Sequence, residues 1–453
     1  MRTLAFTLTC SLCLAAAGPH PAAKAPEHFT KNQGTATLLN GFTQGWGLPG
    51  PLVEVSPGTF AGLALLSGQS GRAFTLTSQG VLTSIYTFPG SAQLYSSIIQ
   101  AVNGRLYGSQ FNPNVNFSLN LAGSIQTYPQ VLPDPPRMAV QTVTGEIYGT
   151  VSDFAGLANN SFVAMTLSGV TTVLHAFTTQ EGIPYGYPIL ASDGNFYGIS
   201  GIGNQYQSTS SQVYRATPQG AVSILATYPD GRPNYAPGSF PETLLQANNG
   251  KLYGVASLGG SNRAGAIFEL SLSGTYKVLH EYNDRAVGVP TFLMQASDGN
   301  LYGATAGPGV ASLFKITLDG QFQTYYVMNN PNIGTCTCWL TQGSDGLLYG
   351  TTQNGGPSGA GTAWTWNLGL PAPLPALKGS APSSGAAGTK VTLYGYNLLG
   401  ATAVSFNGTP ATTLSNISAN YVSATVPPGA TTGPITVTTP NGSSTSTGVF
   451  TVE

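Results

Sequence analysis

Charge is what this 453-residue sequence has least of. Lysine and arginine number 15, aspartate and glutamate 16, together 7% of the chain, against about 25% in an ordinary soluble domain. The net charge is −1, so no long-range field draws nucleic acid or an anionic membrane. Histidine is equally scarce: His20 and His28 lie near the start, His175 and His280 in separate stretches. Neither a zinc centre nor histidine-based catalysis has its parts. Long apolar runs are missing beyond the first 17 residues, so no bilayer span of about 20 residues is expected. Of the four cysteines, Cys10 and Cys13 lie in that early run. Cys336 and Cys338 share a face if they sit on a strand. Their separation is near the upper limit for a disulfide, so a strained bridge is a candidate in an oxidising compartment and a metal site is not expected.

The early run reads as an export leader over residues 1–25. Arg2 supplies the positive charge, Leu4 to Ala17 the apolar stretch and Ala15–Ala17 the small residues. Cleavage is expected after about Ala17, since Pro26 disfavours the alternative after Ala25. The processed chain is expected outside the cytoplasm, secreted or periplasmic.

Glycine (59 residues) and proline (32) are abundant. That mixture fits many short strands joined by turns, and the recurring aromatic and aliphatic runs argue against disorder. One phrase recurs six times. Residues 103–108 read Asn-Gly-Arg-Leu-Tyr-Gly, and variants occupy residues 144–149, 193–198, 249–254, 298–303 and 345–350. A worn seventh copy, residues 57–62, carries Ala61 at the tyrosine position. The tyrosine position recurs every 41 to 56 residues, a period of propeller blades.

The repeat around residues 242–282 is the clearest. Residues 242–247 form an apolar strand a, Asn249-Gly250 a tight hairpin and residues 251–256 strand b. A polar loop leads to strand c at 266–270. A second tight turn then leads to strand d at 275–282. Four antiparallel strands per repeat make a blade. The seventh repeat lacks strand d, because the proline-rich segment from Leu370 to Pro375 stands there. Residues 36–42 read as an unattached d strand and are expected to close that repeat. The chain is thus predicted to be all-β, with a seven-bladed β-propeller over 26–370 closed by an N-terminal strand, and an immunoglobulin-like β-sandwich over 371–453.

The repeats resemble the GloVer-type tandem repeat of secreted bacterial proteins. The resemblance rests on Leu-Leu-Gln-Ala, Asp/Asn-Gly-x-Leu-Tyr-Gly, Phe-x-Leu/Ile and Val-Leu-His-x-Phe/Tyr, over roughly residues 36–368. It implies export or surface display and no established chemistry. Family members often carry C-terminal anchors; none is recognisable here, which points to release from the cell. Residues 373–453 change character, with few aromatics and many Thr, Ser and Gly. Strands are expected at residues 388–395, 403–408, 421–427, 433–438 and 449–452. Their order, with Val-x-Phe-Asn-Gly at 404–408 and Thr-Gly-Pro-Ile-x-Val at 432–437, is similar to an IPT/TIG domain. Such domains imply a spacer or interaction module. With only Lys378 and Lys390 as cations, DNA binding is dismissed.

Most apparent chemistry reads as structure. Asp193, Asp298 and Asp345 sit in hairpins where Asn249 serves equally, so they are turn residues. His175 and His280 fall on outer strands of non-adjacent repeats. The repeated tyrosines read as packing. Antiparallel order puts the tight a–b and c–d hairpins at one end and the longer b–c and d–a loops at the other, where binding residues are expected. Loop residues that break the pattern are Trp46, Tyr185, Tyr187, Tyr206, Arg232, Asn234, Tyr235, Arg263 and Arg285, with Asp230 in the longest insertion. Aromatics with Arg and Asn suit a glycan or peptide.

The expected function is a monomeric, non-enzymatic, cofactor-free binding or adhesion protein, with a polysaccharide or protein as ligand. Two rivals remain. A polysaccharide lyase or glycoside hydrolase would need a carboxylate pair drawn from Asp153, Glu181, Asp230 and Asp284. A structural scaffold would need no ligand.

Overall fold

The computed structural model describes residues 34–43, 48–65, 71–90, 93–95, 97–130, 132, 134–153, 159–204, 207–229, 241–256, 264–283, 288–306, 311–328, 333–334 and 337–453. The leader and its expected cleavage sites lie outside them. Regular structure among the described residues is all β.

Each Asp/Asn-Gly phrase makes the hairpin its residues call for. In the second repeat, Gly104 N–H donates to Ala101 O at 2.8 Å and Ala101 N–H to Arg105 O at 2.9 Å. Gly104 sits at φ 77°, a left-handed position glycine adopts without a Cβ clash. The c–d turns repeat this design with Ser, Thr or Asn three residues before the glycine, as in Thr317–Gly320, where Gly320 N–H donates to Thr317 O at 3.0 Å.

These hairpins build seven sheets from residues 35–367. In the fifth sheet, strands Pro241–Gln246, Leu252–Ala256, Ala266–Leu270 and Tyr276–Glu281 lie in chain order, as strands a to d. The third, fourth and sixth sheets follow the same plan. Four strands per repeat does not hold everywhere. The first sheet's inner strand is split into Leu48–Pro49 and Val53–Ser56, and the second's into Gln93–Leu94 and Ile99–Gln100. Pro51 in the first gap has no N–H to offer a ladder. A second departure concerns the fourth repeat. Strands Phe196–Asn204 and Gln207–Ala216 stay paired up to Asn204 and Gln207, so an extended hairpin replaces the expected b–c loop.

The seam forms as expected. Strand Thr35–Gly41 pairs antiparallel with Thr362–Asn367, from Thr35 opposite Asn367 to Gly41 opposite Thr362. The seventh sheet is therefore completed by the N-terminal end of the ring.

The core is divided. Seven apolar clusters occupy the junctions between successive sheets, and one of them joins the seventh sheet to the first through Phe42, Phe60, Phe74 and Tyr349. Each sheet packs on the next and the last on the first, so the sheets form a closed ring. This arrangement is consistent with a propeller. The a strands are innermost; the d strands are outermost and partly exposed along their length, as Thr171–Ala176 is.

Residues 376–452 form two further sheets. Their facing sides enclose Leu377, Val391, Leu393, Phe406, Val422, Ile435, Val437 and Phe450. The observed strands Lys390–Tyr396, Ala403–Phe406, Tyr421–Thr425 and Gly433–Thr439 match the expected ones closely, and the last runs longer, over Gly442–Val452.

Candidate binding site at the inner rim

The repeated polar groups are engaged in holding sheets together. Six tyrosines of the Tyr-Gly phrase, Tyr107, Tyr148, Tyr197, Tyr253, Tyr302 and Tyr349, are buried, each in the junction with the following sheet. Tyr197 Oη donates to Asp193 Oδ2 at 2.9 Å, Tyr302 Oη to Asp298 Oδ2 at 3.0 Å and Tyr349 Oη to Asp345 Oδ2 at 2.6 Å. Burial pushes the Asp193 and Asp298 carboxyls up, but hydrogen bonds from Asn195 and Asn300 outweigh it and hold both below the usual range. Where Asn249 replaces the acid, Asn249 Nδ2 donates to Tyr253 Oη at 2.9 Å. The interchange that marked these positions as turns in the sequence is a swap of donor and acceptor.

A glutamine at the end of strand a clasps the preceding sheet. Gln141 Oε1 accepts Val102 N–H at 2.6 Å, Gln246 accepts Ser192 N–H at 2.7 Å, and Gln295 and Gln342 accept Asn248 and Ser297 N–H at 2.8 Å. At the seam Glu54 takes this role: its Oε2 accepts Ser344 N–H and its Oε1 accepts Ser344 Oγ–H, both at 2.8 Å. The fourth sheet has Leu190 at this position, and the second sheet's Gln100 has no partner for its Oε1 among the described residues, so these two sheets lack the clasp.

The two histidines are also structural. His175 Nε2 lies 3.0 Å from Glu181 Oε2. The same oxygen accepts Thr178 N–H at 2.8 Å and Thr178 Oγ–H at 2.9 Å, so one carboxylate considered for catalysis closes an outer turn. His280 stacks on Phe322 with ring centroids 3.7 Å apart and planes at 6°. Burial pulls its pKa down to about 4. Of the other acids considered, Asp153 Oδ2 accepts Asn159 Nδ2–H at 3.2 Å, while Asp230 and Asp284 lie outside the described residues. Among the described residues, no group of three or more His, Cys, Asp or Glu gathers as a metal would require.

The expected loop residues are mostly out of reach. Trp46, Tyr206, Arg232, Asn234, Tyr235, Arg263 and Arg285 lie outside the described residues. So does Cys336, and for Cys338 only its strand, Thr337–Gln342, is described. Tyr185 and Tyr187 are not loop residues as expected. They lie on the fourth sheet's inner strand, Ile183–Leu190, where the register shifts between Tyr185 and Ile189. A bulge adds residues to one strand and re-aims the side chains there.

Tyr187 has company that sequence reasoning missed. Arg137 opens the third sheet's inner strand, Arg137–Gln141, and its guanidinium carbon lies 5.0 Å from the ring centre of Tyr95. Tyr95 belongs to the second sheet's inner strand region and is 6% exposed. Burial pushes the Tyr95 hydroxyl up, the Arg137 charge works against this, and Asp134 and Tyr187 add to the rise. Arg137 therefore rests on Tyr95, and Asp134 and Tyr187 lie near enough for their charges to act on the Tyr95 hydroxyl. Strand a runs from the long-loop end toward the hairpin end, so the cluster lies on the inner rim at the long-loop end, across the second, third and fourth sheets. One signal was available in the sequence. Arg137 stands four residues before the clasping Gln141, where the sixth sheet has Thr291 before Gln295, in a chain with few cations. Tyr187 and the Arg137 guanidinium, which rests on the buried Tyr95 ring, can stack on a sugar ring, and Arg137 and Asp134 can hydrogen-bond its hydroxyls.

The Gloeobacter/Verrucomicrobia repeat family matches residues 135–364, and the IPT/TIG domain matches residues 375–452. No curated protein matches the chain. Among solved structures, a catalytically inactive virginiamycin B lyase from Staphylococcus aureus with quinupristin has a TM-score of 0.55 at 15% identity, covering 74% of this chain and 99% of that one. The selenomethionine-substituted lyase gives 0.53 at 13%, covering 74% and 98%. A fungal alcohol oxidase of the AA5 family in complex with copper gives 0.50 at 12%, covering 93% and 100%. At such identities the likeness extends to the fold alone: the chain is similar to β-propeller proteins. Among the described residues, no helix is long and apolar enough to cross a membrane.

Proposed function

This chain belongs to the Gloeobacter/Verrucomicrobia repeat family, and on that footing we propose that it is a seven-bladed β-propeller acting outside the cytoplasm as a non-enzymatic binding or adhesion protein. Its ligand on this reading is a polysaccharide, held at the long-loop end of the inner rim. The observation that carries the reading is Arg137 placed over the buried Tyr95 ring at 5.0 Å, with Asp134 and Tyr187 near enough for their charges to act on the Tyr95 hydroxyl. Aromatic faces beside a fixed guanidinium recognise a sugar by stacking and directional hydrogen bonds. Binding is favoured over catalysis because Glu181, Asp193, Asp298 and Asp345 are committed to hydrogen bonds within the fold.

The test is a retention screen of the purified protein on soluble and insoluble polysaccharides, run beside a reducing-sugar release assay. Retention on a glycan without sugar release is expected. Arg137→Ala and Tyr187→Ala should each weaken it by about tenfold or more, the range of a loss near 1.4 kcal/mol or above. Sugar release would establish the hydrolase or lyase alternative. Neither retention nor release would move the assignment to a protein ligand or a scaffold.

A further inference from the structure

The C-terminal sandwich touches the ring at its hairpin end. Tyr421 Oη donates to Gln141 O at 2.8 Å, at the end of the third sheet's inner strand. Asn441 Nδ2 donates to Ser344 O at 2.8 Å, in the a–b turn of the seventh sheet, and to Pro373 O at 3.2 Å. Gly400 abuts the first sheet's turn so closely that a Cβ on it would stand 3.0 Å from Pro57 Cγ. The connecting segment is held as well. Ser297 Oγ, in the sixth sheet's a–b turn, donates to Pro371 O at 2.5 Å, and Gln342 Nε2 reaches the same oxygen at 3.4 Å.

The positions of these contacts round the ring matter more than their number. The third and seventh sheets are three junctions apart by one route and four by the other. They therefore face each other across the ring axis. Each anchoring group belongs to an innermost strand or its turn. A rigid body tied to inner ends on opposite sides of a ring must pass over its centre. Tyr421 is 5% exposed where it meets the third sheet, whereas Tyr396 on the same sandwich is 54% exposed.

We propose that the sandwich is a docked lid that closes the hairpin end of the ring axis through Tyr421, Asn441 and Gly400. A spacer that swings from the proline-rich segment is excluded by this arrangement, because the segment itself is fastened to the sixth and seventh sheets. The consequence for a ligand rests on the binding role proposed above: a glycan would reach Arg137 by an end or a side branch, and could not thread the axis. The lid itself does not depend on that role.

Hydroxyl-radical footprinting and small-angle X-ray scattering of the full purified protein test it. In the wild type, Tyr421 should be oxidised at least about fivefold more slowly than Tyr396, and the scattering should fit the docked arrangement alone. Asn441→Arg places a bulky side chain against the seventh sheet's turn. It should raise Tyr421 oxidation severalfold and lengthen the maximum dimension, while the ring's own Tyr302 stays protected and shows that the sheets remain folded. Equal oxidation of Tyr421 and Tyr396 in the wild type, or scattering that requires a detached sandwich, would overturn the lid. So would Asn441→Arg leaving both readouts unchanged. A polysaccharide screen without a hit would remove the binding role and leave these outcomes as they stand.

Discussion

Each Tyr-Gly pair places two adjacent residues against opposite junctions, since neighbouring strand residues point to opposite faces. The tyrosine fills the junction ahead. The glycine leaves room for a strand-c ring in the junction behind: Phe314 lies over Gly303, Phe268 over Gly254 and Trp364 over Gly350. A Cβ on Gly303 would run into both the Phe314 ring and the Phe292 carbonyl. Gly303→Ala is therefore expected to cost about 2–4 kcal/mol. Gly194 has a φ of 79°, and a Cβ added there would meet nothing within 4 Å, so Gly194→Ala should cost only about 1 kcal/mol. Paired thermal melts would expose the difference, and equal losses would refute the packing account. His280 makes a separate prediction. Its folded pKa is lowered to about 4 by burial. Below about pH 6.5 the unfolded chain binds a proton that the folded chain refuses until about pH 4. Stability is thus fully present above pH 6.5 and is lost as pH falls through that window. His280→Phe should flatten the denaturation midpoint between pH 6.5 and 4. The carboxyls of Asp193 and Asp298 are lowered from 3.8, so their contribution is present above that value and lost only at more acid pH.

Sheets are joined by backbone groups as much as by apolar faces. The clasp of Gln295 on Asn248 N–H, 2.8 Å long, is completed by its Nε2 donating to Gly299 O at 2.8 Å. Gln295→Met keeps the side-chain length and removes both bonds. A loss of about 1–3 kcal/mol is expected, read as a lower urea midpoint with an unchanged slope. At this scale much was legible in the sequence. The hairpins, the order of strands and the closing strand follow from repeated phrases, because turn chemistry and strand periodicity are local. The split inner strands at Pro51 and near Tyr95 were not, nor was the long Phe196–Ala216 hairpin, because partner strands decide where a ladder stops. The site divided in the same way. Tyr187 stood out by breaking the repeat. Tyr95, Asp134 and Arg137 did not, because their proximity arises only when three inner strands, over 40 residues apart in the chain, meet at one rim.

A ring without a gap unfolds as one body when its last junction is as well made as the others. Phe42 follows the closing strand, is fully buried and meets Phe74 edge-on at 5.3 Å. Phe42→Ala should cost about 3–5 kcal/mol. It should shift the near-UV and far-UV transitions of the ring together; an early transition confined to one sheet would contradict closure as the source of cooperativity. The sequence by itself determined that the chain is all β, that its sheets are built from one repeated unit, that an N-terminal strand completes the last unit, and that a sandwich follows. Each of these rests on local turn chemistry, two-residue periodicity and repetition. The tertiary structure alone decided which inner-rim residues meet and that Tyr421 and Asn441 seat the sandwich across the hairpin end. Those contacts join residues up to 280 positions apart, and no local pattern encodes a distance that exists only once the ring has closed.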